Sequence, residues 1–269
     1  MRLYLVTLIV FLISQFTSAQ ELFVFTEPAS NMPKGNLGIR AMNSLMKEKV
    51  EDGFNYHLMP ELMYGISDKW MVHASTFLSN RNSSLVSEGG SFYVKYKFLN
   101  RDEVQRHFRM ALFSRYSFNN ADIHQDELNL IGHNSGFELG INATQLLHKL
   151  AIGGGFSYIQ ATDNRPNYEF PANQSNQAAY YTLSFGRLVL PKKYKDYKQT
   201  NLNVMCEFLG QSIIEENKNY LDIAPSVQFI FLSKMRLDIA YRQELFSSMQ
   251  RTAPNGFVVR FEYNFFNVY

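Results

Sequence analysis

The chain has 269 residues and a formal net charge of +2, too little to form the basic footprint of a nucleic-acid binder. Its single cysteine, Cys206, excludes an internal disulfide, a CxxC site and a cysteine-rich zinc cluster. The hydrophobic share is ordinary at 46% and the mean hydropathy is -0.22, so the informative signal lies in the order of residues.

The first element is at the N-terminus. Arg2 supplies a short positive region, "LYLVTLIVFLI" (3–13) is an apolar run, and "TSA" (17–19) sets small residues before a cut between Ala19 and Gln20. These are the parts of a cleaved export signal. The run is shorter than the ~20 residues of a spanning helix, and no cysteine stands at the cut to take a lipid anchor. Beyond residue 19 no apolar run approaches ~18 residues, which excludes helical spans. What remains is a soluble exported protein or a membrane β-barrel, whose signal per segment is weaker.

From residue 37 onward, apolar and polar residues alternate. "LGIRAMNSLM" (37–46) is the first strand. "NYHLMPELMYGI" (55–66) sets Tyr56, Leu58, Pro60, Leu62, Tyr64 and Ile66 against Asn55, His57, Met59, Glu61, Met63 and Gly65. "WMVHASTFL" (70–78), "SFYVKYKF" (91–98), "FRMALFSRYSF" (108–118) and "FELGINA" (137–143) repeat the pattern, as do "LNVMCEF" (202–208), "LDIAPSVQFIF" (221–231) and "FVVRFEYNF" (257–265). Period two of this kind means strands with one apolar and one polar face. Three more strands alternate less cleanly. "LAIGGGFSYI" (150–159) carries three glycines suited to bending or close approach, "AYYTLSFGRLVL" (179–190) loses its alternation around Arg187 as at a bulge, and "RLDIAYRQELF" (236–246) alternates through Tyr241. Pro60 and Pro225 each remove one ladder donor from their strands.

About twelve strands result, an even number. Their connections sort into two sets. "SDK" (67–69), "LHK" (147–149) and "SKM" (233–235) are short, while "NRDEVQRH" (100–107) and "PKKYKDYKQ" (191–199) are moderate and charged. The alternate set contains the long ones, "SNRNSSLVSEGG", "NNADIHQDELNLIGHNS" and "TDNRPNYEFPANQSNQ", and two shorter members around "KEKVEDG" and "EENKN", so long and short mostly alternate. An up-and-down barrel puts all even connections at one end, which accounts for this sorting. The expected fold is all-β, an antiparallel up-and-down transmembrane β-barrel of about 12 strands, with the apolar faces toward lipid and tyrosines at the strand ends forming aromatic girdles.

With its signal peptide, strand rhythm and aromatic end "FEYNFFNVY", the chain resembles the Gram-negative outer-membrane β-barrel proteins, especially those of the Bacteroidota. The resemblance covers nearly all of the mature chain. It implies a signal peptide over 1–19, a periplasmic lead-in over 20–35 ("ELFVFTEPASNMPKG") and an outer-membrane barrel over 36–269. It also implies periplasmic chaperones and the barrel-insertion machinery as partners, the latter recognising a terminal aromatic residue such as Tyr269. No cofactor is implied.

Parity places Glu61, Lys95, Lys97, Arg109, Arg115, Glu138, Glu207, Arg242, Arg260 and Glu262 in the lumen, with Asp222, Asp238 and Glu244. Two readings follow. These charges line a path for small hydrophilic solutes, or they pair into a brace that fills a narrow barrel. The near balance of signs argues against strong ion selectivity. The expected function is therefore a channel or transporter for small hydrophilic solutes, not an enzyme. A non-conducting structural or adhesion barrel working through the long loops is one alternative.

Two further constellations carry chemistry. His57, Met63, Met71 and His73 share an inward face of strands two and three, and thioether with imidazole suits Cu(I); methionine as flexible filler explains the same residues. "GHNSG" places His133 and Ser135 two apart and resembles the motif of outer-membrane acyl hydrolases, in which His activates Ser at the lipid-facing edge. Gly136 stands where that family has Asn, and no third, orienting group is evident. A lipid-modifying hydrolase is thus the other alternative.

Overall fold

The computed structural model describes residues 23–49, 53–80, 84–165, 169–192 and 198–268. The expected signal peptide, the first residues of the lead-in and Tyr269 lie outside the described residues. Twelve strands follow in order: β1 (Leu37–Lys47), β2 (Phe54–Gly65), β3 (Trp70–Ser79), β4 (Val86–Glu103), β5 (Arg106–Asn119), β6 (Ser135–Leu147), β7 (Leu150–Thr162), β8 (Gln177–Leu190), β9 (Asn201–Ile213), β10 (Asn219–Phe231), β11 (Met235–Ser247) and β12 (Asn255–Phe265). Each pairs with its sequence neighbours, and β12 pairs antiparallel with β1 from Leu37↔Phe265 to Lys47↔Asn255. The sheet is a closed barrel without an edge.

Alternation decides which face each residue takes. On β2, Leu62 is 52% exposed while Glu61 and Met63, on either side of it, are 5% and 0% exposed. Outward rings gather toward both ends of the barrel. Trp70 packs on Tyr96 and Tyr263 on Phe265 near the end that carries the start of β1; Tyr116 on Phe137 and Tyr241 on Phe257 lie toward the opposite end. The first is the near end of the barrel and the second the far end.

The two prolines are accommodated on one side only. Pro60 keeps its register opposite Ala41 of β1, but the β2–β3 register stops at Leu58↔Leu78 and resumes at Glu61↔Ser75. Pro225 likewise faces Cys206 of β9, while β10–β11 pairing skips from Ile223↔Gln243 to Ser226↔Ala240. The missing N–H is thus absorbed by a local gap in one ladder. The irregularity expected at Arg187 is a register shift between Leu188 and Leu190.

Two connections differ from expectation. Residues 100–107 are mostly strand, because β4 runs to Glu103 and β5 starts at Arg106, leaving Val104 and Gln105 (φ 60) as the turn. This hairpin end stands in water on both faces, so no apolar stripe marks it. Asp102 holds it instead, accepting from Asn100 and Arg109 and meeting His107 Nδ1 at 2.8 Å. At the far end β4 begins at Val86, so the connection from β3 is shorter than the sequence suggests.

The lead-in is also relocated. Its described part carries no strand and lies inside the barrel, not beneath it, with Phe23, Val24 and Ala29 all buried. An apolar seat explains the position: Phe23 and Val24 cluster with the inward residues Met46, Ala151, Met205, Ala240 and Val258. Burying each such side chain is worth about 1.5–3 kcal/mol.

Candidate functional site: the barrel lumen

Every one of the ten lumen candidates faces inward or lies partly buried on the inner wall. One chain of charges crosses the seam where the barrel closes. His73 Nδ1 lies 3.4 Å from Glu61, which pairs with Arg40 at 2.9 Å; Arg40 also binds Glu262 at 3.0 Å. Glu262 accepts from Arg236 at 2.8 Å, and Asp238 links Arg236 (3.2 Å) to Arg260 (2.7 Å). These groups are almost fully buried. Pairing is what makes their burial tolerable, since a lone charge there would carry its whole desolvation cost. Arg236 is legible by its parity with Asp238, whereas the blurred pattern of the first strand hides Arg40.

A second group of candidates binds the N-terminal segment. Glu207 accepts from three successive backbone N–H groups, those of Val24 (2.8 Å), Phe25 (3.1 Å) and Thr26 (2.7 Å). Arg260 donates to the carbonyls of Phe23 and Val24. Lys95 donates to Pro28 O (2.8 Å) and Glu27 (3.2 Å), and Arg109 to Ser30 Oγ (2.9 Å). Glycines give the segment room. A Cβ on Gly153 would come within 2.4 Å of the Phe23 ring, and one on Gly65 within 2.2 Å of Pro33 O, so both positions exclude any side chain while the segment is seated. The close approach expected at the glycine run is therefore an approach by this segment. Lys97 is half-buried beside a register shift in β4.

The far end is closed in by two connections. Residues 120–134 fold inward, burying Leu128 and Leu130 against Ile159, Ala161, Ile213 and Tyr220. Gln211 fixes Leu128 through both its N–H and its carbonyl (2.9 and 2.8 Å). Glu127 pairs with Arg251 at 2.8 Å and Arg242 at 3.3 Å, and Arg251 holds Asp222 with two bonds of 2.7 Å. Burial works to raise the Glu127 carboxyl, but Arg251 and Arg242 outweigh it and hold it down at about 2. Sequence parity says nothing about residues on a loop, so Glu127 and Arg251 were missed. The apolar "LNLI" inside an otherwise polar loop was the one available signal.

Between the N-terminal segment and this roof lies a cavity of about 240 Å³. Val24–Glu27 form its floor; Glu127–His133 with Thr252 and Ala253 form its roof; Glu61, His73, Tyr93, Arg115, Glu138 and Asn142 belong to its wall. Arg115 pairs with Glu138 at 3.2 Å and lies over the Tyr93 ring, and Glu138 also accepts from Ser157 at 2.7 Å.

The two weaker constellations are not assembled. Met63 does lie opposite His73, but Met71 is opposite Gly65 and its sulfur accepts from Met32 N. His57 is six residues along β2 from Met63, roughly 20 Å at ~3.3 Å per residue, and its ring packs tilted against that of His133. Thus the four do not form one ligand set. Ser135 does not face outward: it is 5% exposed, and its hydroxyl accepts from Asn119 N at 2.8 Å. The bend at Gly136 (φ 145) ends the parity that was carried back from Phe137. His133 lines the cavity and does not face lipid.

No protein-family model matches the chain, and no curated protein does either. Among solved structures, an outer membrane channel from Pseudomonas putida F1 superposes with a TM-score of 0.55 at 15% identity, covering 90% of this chain and 99% of that one. The KdgM porin (TM-score 0.49, 10% identity, 86% and 99% covered) and the NanC porin (0.49, 10%, 84% and 98%) are also similar. At these identities the likeness to the channel establishes the barrel fold.

Glu207→Ala leaves three buried N–H groups without an acceptor, at about 1–3 kcal/mol each. The segment is expected to leave its seat while the barrel stays closed. Hydrogen exchange at the Val24, Phe25 and Thr26 amides, slow in the parent, should become fast; unchanged protection would show that Glu207 does not hold the segment. The roof has its own pH dependence. Because the Glu127 carboxyl is depressed, its contribution is present in full above the ordinary value of 4.5 and is lost as pH falls through about 2. Pepsin should therefore spare residues 120–134 of the folded barrel at pH 4 and cut them below pH ~2; cutting at pH 4 would assign the roof to other contacts.

Proposed function

We propose that the chain is an outer-membrane channel for small hydrophilic solutes, with the N-terminal segment as its constriction. The observation that carries this reading is the pairing of an apolar outer face with a closed barrel around a polar chamber. Lipid offers no hydrogen bonds, so a sheet that spans it must close. The outward rings at both ends suit the two interfaces. The likeness to a protein described as an outer membrane channel supports the same reading. Export would follow cleavage after Ala19, and assembly would require periplasmic chaperones and the insertion machinery. No catalysis is assigned, and the Ser135 hydroxyl is engaged by the Asn119 backbone.

Planar-bilayer recording tests the proposal. The refolded chain is expected to open in small steps with weak ion selectivity, since charges of both signs line its wall, and deletion of residues 23–31 should enlarge the steps. An inserted barrel that stays silent with and without the segment would refute the channel and favour a structural role. Leu139, 62% exposed on the outer face, supplies a separate check of membrane insertion. Leu139→Arg should cost about 2–4 kcal/mol of refolding stability if it meets the bilayer midplane, and nothing measurable if that face is in water.

A further inference from the structure

The chamber wall between β3 and β8 has a chemistry of its own. Its charged groups are already engaged with one another: Arg115 with Glu138, and Glu61 with Arg40 and His73. Among the described residues, the atoms here without a hydrogen-bond partner include Tyr93 OH, Asn142 Nδ2, Thr182 Oγ1 and His73 Nε2; Arg115 Nε is another, and it is held by the ion pair with Glu138. Tyr93, Asn142 and His73 are 4%, 3% and 5% exposed, and all four residues line the same cavity. Buried polar atoms without partners are uncommon, and each has a cost of about 1–3 kcal/mol until something bonds to it.

Their directions of bonding are mixed. Asn142 Nδ2 donates. The Tyr93 and Thr182 hydroxyls do either. His73 presents Nδ1 to the Glu61 carboxylate at 3.4 Å, so the proton of a neutral imidazole sits there and Nε2 of that form is an acceptor. A ligand group that serves all four must both donate and accept, which is the property of a hydroxyl. Apolar faces stand beside these atoms. The Tyr93 ring lies between His73 (4.7 Å) and Phe113 (5.4 Å). The wall is recessed at Gly155, where Asn142 Oδ1 and Thr182 Oγ1 converge to within 2.8 and 3.0 Å of the missing Cβ. The cavity's volume of about 240 Å³ lies a little below the ~300–1,000 Å³ of most small-molecule sites.

We propose that this arc of the wall, formed by His73, Tyr93, Asn142 and Thr182, is a binding site for a neutral polyhydroxylated solute of monosaccharide size. The proposal rests on the channel reading for its biological purpose, but binding is measurable without conduction. A permanently charged solute would have to break the Arg115–Glu138 pair to find a counter-charge, so neutral polyols are preferred.

Calorimetry on the detergent-folded mature chain, with D-glucose, D-gluconate and D-glucosamine as probes, tests the site. Glucose is expected to bind saturably and the two charged relatives at least about tenfold more weakly, a difference of about 1.4 kcal/mol. Tyr93→Phe removes only an oxygen, and Asn142→Ala only the amide; both should weaken glucose by about tenfold or more while heat-modifiable migration shows an intact barrel. Glucose should also block the bilayer current of the parent and not that of Tyr93→Phe. A conducting barrel with no saturable glucose binding overturns the site and leaves the channel. Tighter gluconate or glucosamine binding overturns the neutral class. Glucose binding to a silent barrel supports the site and overturns the channel.

Discussion

The whole structure depends on the pairing of β12 with β1. Until those strands meet, each presents a row of unsatisfied backbone groups and the sheet has no inside. Once they meet, every side chain is assigned to one of two solvents by its parity along the strand. The Arg40–Glu262 pair spans this seam on the inner face, and Ile39, Ala41, Val259 and Phe261 lie along it on the outer one. The contact that closes the sheet therefore also joins the charge network of one half of the wall to that of the other. A buried network of this kind contributes less to net stability than to register, because mispairing by one residue would turn Arg40 or Glu262 to the apolar outer face.

The wall's charges act on the chain as much as on any solute. A peptide group has a positive end and a negative end, and the lumen offers a receptor for each. Glu207 takes N–H groups and Arg260 takes carbonyls of the same short stretch. Lys95 and Arg109 continue the pattern toward Ser30. This explains why both signs are abundant inside a barrel whose net charge is small. The irregular segment has no ladder of its own, so its polar groups must be satisfied by side chains arriving from the wall. The seam and the lower lumen are braced by ion pairs, and the wall of the chamber carries, beside its own pairs, polar atoms without a hydrogen-bond partner.

The strands and the facing of their residues were legible in the sequence because period two is imposed by the contrast between an apolar outside and a polar inside. Where that contrast vanishes, so did the signal. The end of the β4–β5 hairpin has water on both faces, and its residues read as a loop. The first strand was blurred by Met42, Ser44 and Met46 on its inner face, which hid Arg40. Loops carry no parity at all, so Glu127 and Arg251 emerged only in three dimensions. His133 and Ser135 show the opposite error: parity does not carry through Gly136, where a positive φ turns the backbone at the start of β6. Of bending and close approach, the two roles that suit the glycine run of β7, the structure shows the second at Gly153, but nothing local to the run names the segment that approaches.

The segment ending at Gly35 is covalently continuous with β1, whose first residue is Leu37. It is therefore a tethered ligand of its own barrel. A short tether holds such a ligand at an effective concentration on the order of millimolar, independent of how much protein or solute is present. Any free solute that uses the lower lumen competes against that fixed concentration, while one that uses the chamber above it does not. On the channel reading proposed above, the two halves of the lumen would differ in threshold as well as in lining, the chamber filling at the lower solute concentration.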